Sequence, residues 1–150
     1  MRLCLVQHGL AKTEEEDPER PLTDQGVTDV RSVATQAVEQ LGVRAARVFH
    51  SGKTRARQTA EVWAGLLGAG VEQAEALAPN DDPSILVKRL DAETDDLVLV
   101  GHLPHLSRLA GLLLAGADHP LVKFRPAGVV GLERGDTGWV VWLVLPPRGS

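Results

Sequence analysis

Short continuous apolar runs along this chain alternate with longer stretches in which apolar residues recur every three or four positions. Three runs have the length of buried strands and are followed within three residues by glycine: Leu3–Val6, Ala46–Phe49 and Leu97–Val100. A weaker strand is predicted over Val71–Leu77. Two further runs, Val129–Leu132 and Trp139–Leu145, flank the turn sequence Gly135–Gly138 and predict an antiparallel hairpin.

The stretches between the strands predict four helices. Thr23 would cap the first, and Asp82 before Pro83 would cap the third. The predicted helices cover Thr23–Gly42, about Lys53–Leu67, Pro83 to about Leu90, and Pro104–Leu114. Strands that alternate with helices form a largely parallel sheet covered on both faces. The sequence therefore predicts an α/β fold in one domain spanning residues 1–150.

Length and charge exclude several classes of protein. The 150 residues, 43% hydrophobic and 24% charged, suit one ordinary domain, and the formal charge of −4 argues against general nucleic-acid binding. The single cysteine, Cys4, excludes an internal disulfide framework and a cysteine-rich zinc site. No apolar run approaches the ~18 residues of a membrane span, and no basic-then-apolar leader opens the sequence. We therefore expect a cytoplasmic protein without a membrane partner.

Polar side chains follow three of the predicted strands, at the point where each strand ends. His8 follows the first strand, Ser51 and then Arg55 follow the second, and His102 follows the fourth. The carboxyl ends of parallel strands meet at one edge of the sheet, where α/β proteins bind ligands. We therefore expect these four residues to form one site.

Two histidines and an arginine suit phosphoryl transfer through a covalent phosphohistidine. A neutral imidazole nitrogen is a good nucleophile toward phosphorus and needs no metal ion to be deprotonated near neutral pH. The guanidinium of Arg55 can bind phosphate oxygens in a bidentate manner, and the first turn of a helix favours an anion. The residues therefore predict phosphoryl chemistry without a metal ion.

Four short segments occur in a fixed order along the chain. They are Gln7-His8-Gly9, Arg20-Pro21-Leu22-Thr23, Ser51-Gly52-Lys53-Thr54-Arg55-Ala56-Arg57-Gln58-Thr59 and Gly101-His102-Leu103-Pro104. In this order and spacing they resemble the motifs of the histidine phosphatase superfamily, and specifically of its short SixA-type phosphohistidine phosphatase branch. The chain departs from the family pattern at two positions, since Gln7 replaces an arginine and Gly52 replaces a proline.

The resemblance implies a three-layer α/β/α fold with a phosphate pocket at the carboxyl edge of the sheet. His8 would be the nucleophile that becomes phosphorylated, Arg55 would clamp phosphoryl oxygens, and His102 would donate hydrogen bonds to them. The residues expected to bind the substrate phosphate are Gln7, Gly9, Arg20 and Ser51. No metal ion and no organic cofactor is implied.

A chain of this length has little room for a lid over such a pocket, and an open pocket suits a phosphorylated side chain of another protein. We therefore predict a phosphohistidine phosphatase in signal transduction, whose partner is a protein phosphorylated on histidine. The alternative enzyme is a phosphatase of a small phosphomonoester. The alternative from another class is a non-catalytic domain that binds phosphorylated ligands.

Gln7 is the departure with a chemical consequence, because a neutral amide replaces a charged donor. A charge-assisted hydrogen bond is worth roughly 1.5–3 kcal/mol against about 1 kcal/mol for a neutral one, which predicts about a tenfold loss in phosphate binding or rate. Three interpretations follow. The substrate is less charged at that oxygen, or catalysis is lost, or another cation replaces the arginine, with Arg20 first and Lys12, Lys123 or Arg125 next.

A carboxyl group that protonates the leaving group is harder to assign. Asp81 is the candidate, because the neighbouring Asp82 is already explained as a helix cap. Phosphohistidine has a better leaving group than a phosphate ester and needs this assistance less. The three remaining histidines, His50, His105 and His119, are interpreted as incidental. Of these, His50 is the best placed for a supporting role, because it is next to Ser51.

Overall fold

A six-stranded sheet forms the middle layer of the structure, a computed structural model that describes residues 1–149. Its strands are β1 (Arg2–Gln7), β2 (Arg47–His50), β3 (Gly70–Gln73), β4 (Leu97–Gly101), β5 (Val129–Gly135) and β6 (Gly138–Leu145). They lie in the order β3-β2-β4-β1-β5-β6, with β1 to β4 parallel and β5 and β6 antiparallel to their neighbours. The predicted mostly parallel sheet with a C-terminal hairpin is confirmed.

Helices cover both faces of this sheet and complete the three layers. They are α1 (Asp24–Thr35), α2 (Thr54–Leu67), α3 (Pro83–Asp91) and α4 (His105–Ala115). One buried cluster joins α1 and α2 to one face, and a second joins α3 and α4 to the other. Two predicted caps are present, since the Thr23 side chain accepts from the Gly26 N–H (2.9 Å) and Asp82 accepts from the Ser84 N–H (3.0 Å).

The central strands are apolar throughout because both of their faces are buried. In β1, Cys4 and Val6 pack against the layer of α1 and α2, whereas Leu3 and Leu5 pack against α3 and α4. Burial raises the pKa of the Cys4 thiol to about 12, which suits a packing residue. The described residues include no helix that is long and apolar enough to cross a membrane.

Most predicted boundaries differ from the observed ones by a few residues. The two largest differences are at the end of the first helix and at the end of the third strand. The first helix was expected to reach Gly42, but α1 ends at Thr35 and a π-helical turn follows over Gln36–Gln40. The third strand was expected over Val71–Leu77 but covers only Gly70–Gln73. The Ala74 N–H still donates to the His50 carbonyl (2.8 Å), and the backbone of Ala76, with a φ of +62°, is left-handed and no longer extended.

Candidate active site

Two histidines lie together at the carboxyl edge of the sheet. His8 follows β1 and His102 follows β4, and these strands are parallel neighbours with Gln7 opposite Gly101. The His8 N–H donates to the Gly101 carbonyl (3.1 Å), which extends the pairing by one residue. The two imidazole centroids are 5.0 Å apart, with their planes tilted by 53°. The structure therefore brings together the two histidines singled out in the sequence.

The His8 ring has a defined tautomer. Its Nδ1 lies 2.7 Å from the Gly9 carbonyl oxygen, and because a carbonyl can only accept, Nδ1 carries the hydrogen. Nε2 therefore keeps its lone pair. Burial lowers the pKa of His8 to about 4, and the charges of Arg55 and Arg20 also lower it, against the bond to Gly9. His8 is neutral at pH 7, as a nucleophilic imidazole must be.

His102 is almost fully buried and contacts Ser51, which follows β2. Ser51 Oγ lies 2.6 Å from Nε2 of His102 and also accepts from the Lys53 N–H (3.3 Å). Burial lowers the pKa of His102 to about 3, and the neighbouring His8, Arg55 and Lys53 add to this effect. His102 therefore has one ring nitrogen, Nδ1, that is buried and unbonded within the described residues.

Arg55 lies in the first turn of α2, close to both histidines. Its charge lowers the pKa of each of them, and burial lowers its own pKa. Its Nε is buried and has no partner in the part of the chain that the structure describes. Arg57, two residues further along, instead forms an exposed ion pair with Glu61 (2.9 Å). Of these two arginines, Arg55 is the one available to an anion.

Arg20 is held beside the site in a strained backbone conformation. Its φ of +50° lies in the left-handed region that residues other than glycine rarely adopt. Its side-chain Nε donates to the Lys12 carbonyl (3.0 Å), and its charge lowers the pKa of both His8 and Arg55. No acidic side chain among residues 1–149 lies within 4.0 Å of the Arg20 or Arg55 guanidinium. Two unpaired positive charges therefore lie beside His8.

Gln7 is buried at the end of β1, with 9% of its surface exposed. Its backbone is fixed, because its N–H donates to the Gly128 carbonyl (3.2 Å) and its carbonyl accepts from the Ala127 N–H (3.0 Å). Its Oε1 is buried without a hydrogen-bond partner in the described residues. Position 7 therefore supplies a buried neutral amide to the site, and Arg20 stays the first candidate for a cation that replaces the family arginine.

Two glycines allow the loop after β1 to lie against the start of α1. A Cβ at Gly9 would come within 2.8 Å of Val30 Cγ2, and a Cβ at Gly26 within 2.2 Å of the Leu10 carbonyl oxygen. Neither position has room for a side chain. This close approach fixes the Gly9 carbonyl against the His8 ring.

Two side chains of α2, neither of which has an individual role predictable from the sequence, hold these loops. Thr59 Oγ1 accepts from the Gly9 N–H (3.1 Å) and donates to the Arg55 carbonyl (2.8 Å). Gln58 Oε1 accepts from the Leu22 N–H (2.7 Å). Both belong to the third motif, but residue spacing does not reveal that they bond to a distant loop.

The replacement of proline by Gly52 has a backbone explanation. Gly52 has a φ of +94°, which proline, with φ fixed near about −65°, cannot adopt. A Cβ here would lie 2.5 Å from the side-chain Nε2 of Gln73. The Gly52 N–H donates to Nδ1 of His50 (3.0 Å), so His50 supports this loop.

Asp81, the candidate acid, closes a turn before α3. Its Oδ2 accepts from the Ala78 N–H (3.0 Å), and its own N–H donates to the Ala78 carbonyl (3.2 Å). Burial lowers the pKa of His105, and the charge of Asp81 opposes that shift. Asp81 is not among the charges that shift the pKa of either site histidine.

Metal-ligating side chains and surface grooves complete the description of residues 1–149. Within residues 1–149 no group of three or more histidine, cysteine or acidic side chains is arranged to hold a metal ion. A groove of about 530 Å³ lies between α1 and α2 and is lined by Arg31, Glu61 and Leu66 among others.

Comparison with known proteins identifies the family. The model of the histidine phosphatase superfamily (branch 1) matches residues 3–79. A protein of Picosynechococcus sp., itself uncharacterised, is 36% identical over 143 residues, which cover 90% of this chain and 86% of the relative. The chain belongs to the histidine phosphatase superfamily. This confirms the family that the four motifs resemble.

Solved structures of the superfamily share the fold. The protein histidine phosphatase SixA, complexed with tungstate, matches with a TM-score of 0.85 at 23% identity, over 98% of this chain and 97% of SixA. The alpha-ribazole phosphatase of Shigella flexneri matches with a TM-score of 0.78 at 16% identity, over 99% of this chain and 97% of that protein. Membership of the superfamily supports a hydrolase of the phosphatase type, and the fold is shared by enzymes with different substrates.

Proposed function

We propose that this protein is a phosphohistidine phosphatase that acts through a covalent phospho-His8 intermediate. The observation that carries the proposal is the bond from His8 Nδ1 to the Gly9 carbonyl, which leaves a neutral Nε2 with its lone pair. Two unpaired arginines beside this nitrogen suit a phosphoryl group. SixA, named as a protein histidine phosphatase, shares the whole fold.

In the first step, Nε2 of His8 attacks phosphorus in line with the bond to the leaving nitrogen of the substrate. The new N–P bond forms as the old one breaks, and the leaving imidazole takes up a proton from water. Arg55 and Arg20 bind the equatorial oxygens, and His102 donates a hydrogen bond to them. No carboxyl group is needed to expel an imidazole, and the Asp81 carboxylate already accepts from the Ala78 N–H within its own turn.

In the second step, water attacks the phosphorus of phospho-His8 from the side that the leaving group has vacated. The N–P bond breaks, inorganic phosphate leaves, and the His8 Nε2 lone pair is restored while the proton on Nδ1 stays bonded to Gly9. The Gly9 carbonyl thus keeps the ring in one tautomer and orientation through both steps.

Hydrolysis of a substrate panel tests the proposal. We expect hydrolysis of phosphohistidine, free and in a protein, to exceed that of sugar phosphates and phosphoserine, to survive exhaustive chelation, and to be abolished by His8→Ala. Cys4→Ser is the control, since Cys4 lies inside β1 and belongs to the core. Activity in a folded His8→Ala protein would refute the mechanism. Faster hydrolysis of phosphomonoesters would refute the proposed substrate.

A further inference from the structure

The contact between Ser51 and His102 fixes the orientation of a buried ring. Ser51 Oγ lies 2.6 Å from Nε2 of His102, and the same oxygen accepts from the Lys53 N–H (3.3 Å). The backbone of His102 is held separately, because its carbonyl accepts from the Leu106 N–H (2.9 Å). Within residues 1–149 the ring is therefore bonded at Nε2 and unbonded at Nδ1.

The hydrogen of this contact lies either on Nε2 or on the hydroxyl, and the surrounding groups favour the hydroxyl. If Nε2 carried the hydrogen, the ring's lone pair would be on Nδ1, which is buried and has no donor among residues 1–149. If Ser51 donates instead, the hydrogen of the neutral ring is on Nδ1. The unbonded group is then a donor. A phosphoryl dianion offers only acceptor oxygens, so this second tautomer is the one that suits the proposed substrate.

The loop that carries Ser51 is itself fixed by hydrogen bonds. The Gly52 N–H donates to Nδ1 of His50 (3.0 Å), and the His50 carbonyl accepts from the Ala74 N–H (2.8 Å). Burial lowers the pKa of His50, which favours the neutral ring whose Nδ1 accepts this bond. Proline has no N–H, so the bond to His50 is possible because glycine replaces the family proline at position 52. The loop thus holds Ser51 against His102.

We propose that Ser51 is a positioning residue, whose hydroxyl donates to Nε2 of His102 and thereby keeps Nδ1–H as the donor to the phosphoryl group. This inference rests on the proposed function and replaces the direct contact between Ser51 and phosphate that the resemblance implies. A serine bonded to a histidine is also the arrangement of a nucleophile and its base. An imidazole with a pKa of about 3, however, is too weak a base to activate the hydroxyl near neutral pH.

Nitrogen-15 NMR of the resting enzyme at pH 7 tests the tautomer without any turnover. We expect hydrogen on Nδ1 of His102 and none on Nε2, both in the wild type and in Ser51→Thr, which keeps a hydroxyl. Ser51→Ala should show hydrogen on Nε2 in part of the molecules, and vanadate should shift the wild-type Nδ1 signal more than that of Nε2. Hydrogen on Nε2 in the wild type, an unchanged tautomer in Ser51→Ala, or a vanadate shift confined to Nε2 would each overturn the proposal.

A double-mutant cycle separates action through His102 from direct contact with phosphate. Ser51→Ala should lower kcat for phosphohistidine about tenfold, as loss of one hydrogen bond predicts, while KM changes less. In a His102→Ala background the same substitution should change kcat less than about twofold, because Ser51 then has nothing to position. Ser107→Ala is the matched control, since Ser107 is also half-buried and lies on α4, which follows His102.

Three kinetic outcomes would contradict different parts of the account. An equal loss of kcat from Ser51→Ala in both backgrounds would mean that Ser51 binds phosphate itself, which overturns the positioning role and leaves the proposed function standing. Phosphate trapped on Ser51 after rapid quenching would make Ser51 the nucleophile and overturn both. If the wild type does not hydrolyse phosphohistidine, the proposed function fails, and the tautomer of His102 with its response to vanadate still decides the role of Ser51.

Discussion

At the amino edge of the sheet the arginines are bonded to protein acceptors, whereas Arg20 and Arg55 at the carboxyl edge have no acidic partner within residues 1–149. Arg47 forms an ion pair with Glu93 (2.9 Å), and Arg2 forms one with Glu133 (2.7 Å). Arg134 donates to the carbonyl of Leu90 (2.8 Å). These arginines join strand ends to neighbouring segments, and acceptors within the fold already bind their guanidinium groups.

The carboxyl edge has the opposite arrangement. Arg20 and Arg55 lie close enough for the charge of one to lower the pKa of the other, and neither has an acidic partner in residues 1–149. Buried polar atoms of Arg55, His102 and Gln7 also lack partners in these residues. Such groups destabilise a fold unless something else binds them. This difference between the two edges supports the proposed binding of an anion at the carboxyl edge, whereas the arginines of the amino edge join segments of the fold.

Arg55→Ala should give the largest effect among the arginines. We expect kcat for phosphohistidine to fall about 10²- to 10³-fold, because a contact to developing charge is lost, while KM changes less. The unfolding temperature should not fall. The matched control is Arg57→Ala, which removes an exposed ion pair on the same helix and should change kcat less than about threefold. Equal losses in the two variants would contradict the placement of Arg55 in the site.

Variants of Arg20 and Gln7 should have the next largest effect, on the affinity for vanadate. If Arg20 replaces the family arginine, Arg20→Ala should weaken vanadate inhibition about tenfold. Arg20→Gly should weaken it equally, since glycine accepts the φ of +50° and removes only the side chain. Gln7→Arg should leave affinity level or lower it, because the new charge meets Arg20 and Arg55. Tighter vanadate inhibition of Gln7→Arg, together with unchanged inhibition of Arg20→Ala, would contradict this. It would show that nothing replaces the charge of the family arginine at position 7.

The sequence predicted the elements better than it predicted how the site is held. Buried strands and amphipathic helices leave periodic patterns, so the layers and the positions of His8 and His102 at strand ends were predictable. The π-helical turn after α1 leaves no such pattern. The left-handed backbone of Arg20 is likewise invisible in a segment whose motif was otherwise readable.

Tertiary hydrogen bonds were the second unpredictable part. Thr59 bonds Gly9 across 50 positions of sequence, and Gln58 bonds Leu22 across 36. No local pattern encodes such a pair, although both residues belong to a recognised motif. That Arg55 has no acidic partner among residues 1–149 was also unpredictable, because α2 itself carries Glu61, which pairs with Arg57 instead.

The pKa of His8 reports how strongly the arginines at each edge of the sheet act on the site. Its pKa of about 4 means that it gains a proton only as pH falls through 4, so the nucleophile is neutral at pH 5 and above. An exposed imidazole would protonate near pH 6.5. Because the charge of Arg55 lowers this pKa, Arg55→Ala should raise it, and Arg47→Ala at the opposite edge should not. NMR of the His8 Cε1–H gives the value directly, and a wild-type pKa near 6.5 would refute the buried, neutral nucleophile.

Arg47→Ala should produce the smallest functional effect. Loss of its partly exposed pair with Glu93 should lower the free energy of unfolding by about 1 kcal/mol or less, and kcat/KM should stay within twofold of wild type. Thermal unfolding and steady-state kinetics on the same preparation check both statements. A large loss of activity without a loss of stability would contradict the assignment of Arg47 to the stability of the fold.

Rapid quenching of the enzyme with phosphohistidine or phosphoramidate tests the central claim most directly. The account predicts a transient phosphoenzyme that is labile in acid and stable in alkali, with phosphate mapped to His8 by mass spectrometry. The same label should be absent in His8→Ala. Turnover without any phosphoenzyme, or phosphate mapped to another residue such as His102, would contradict the account.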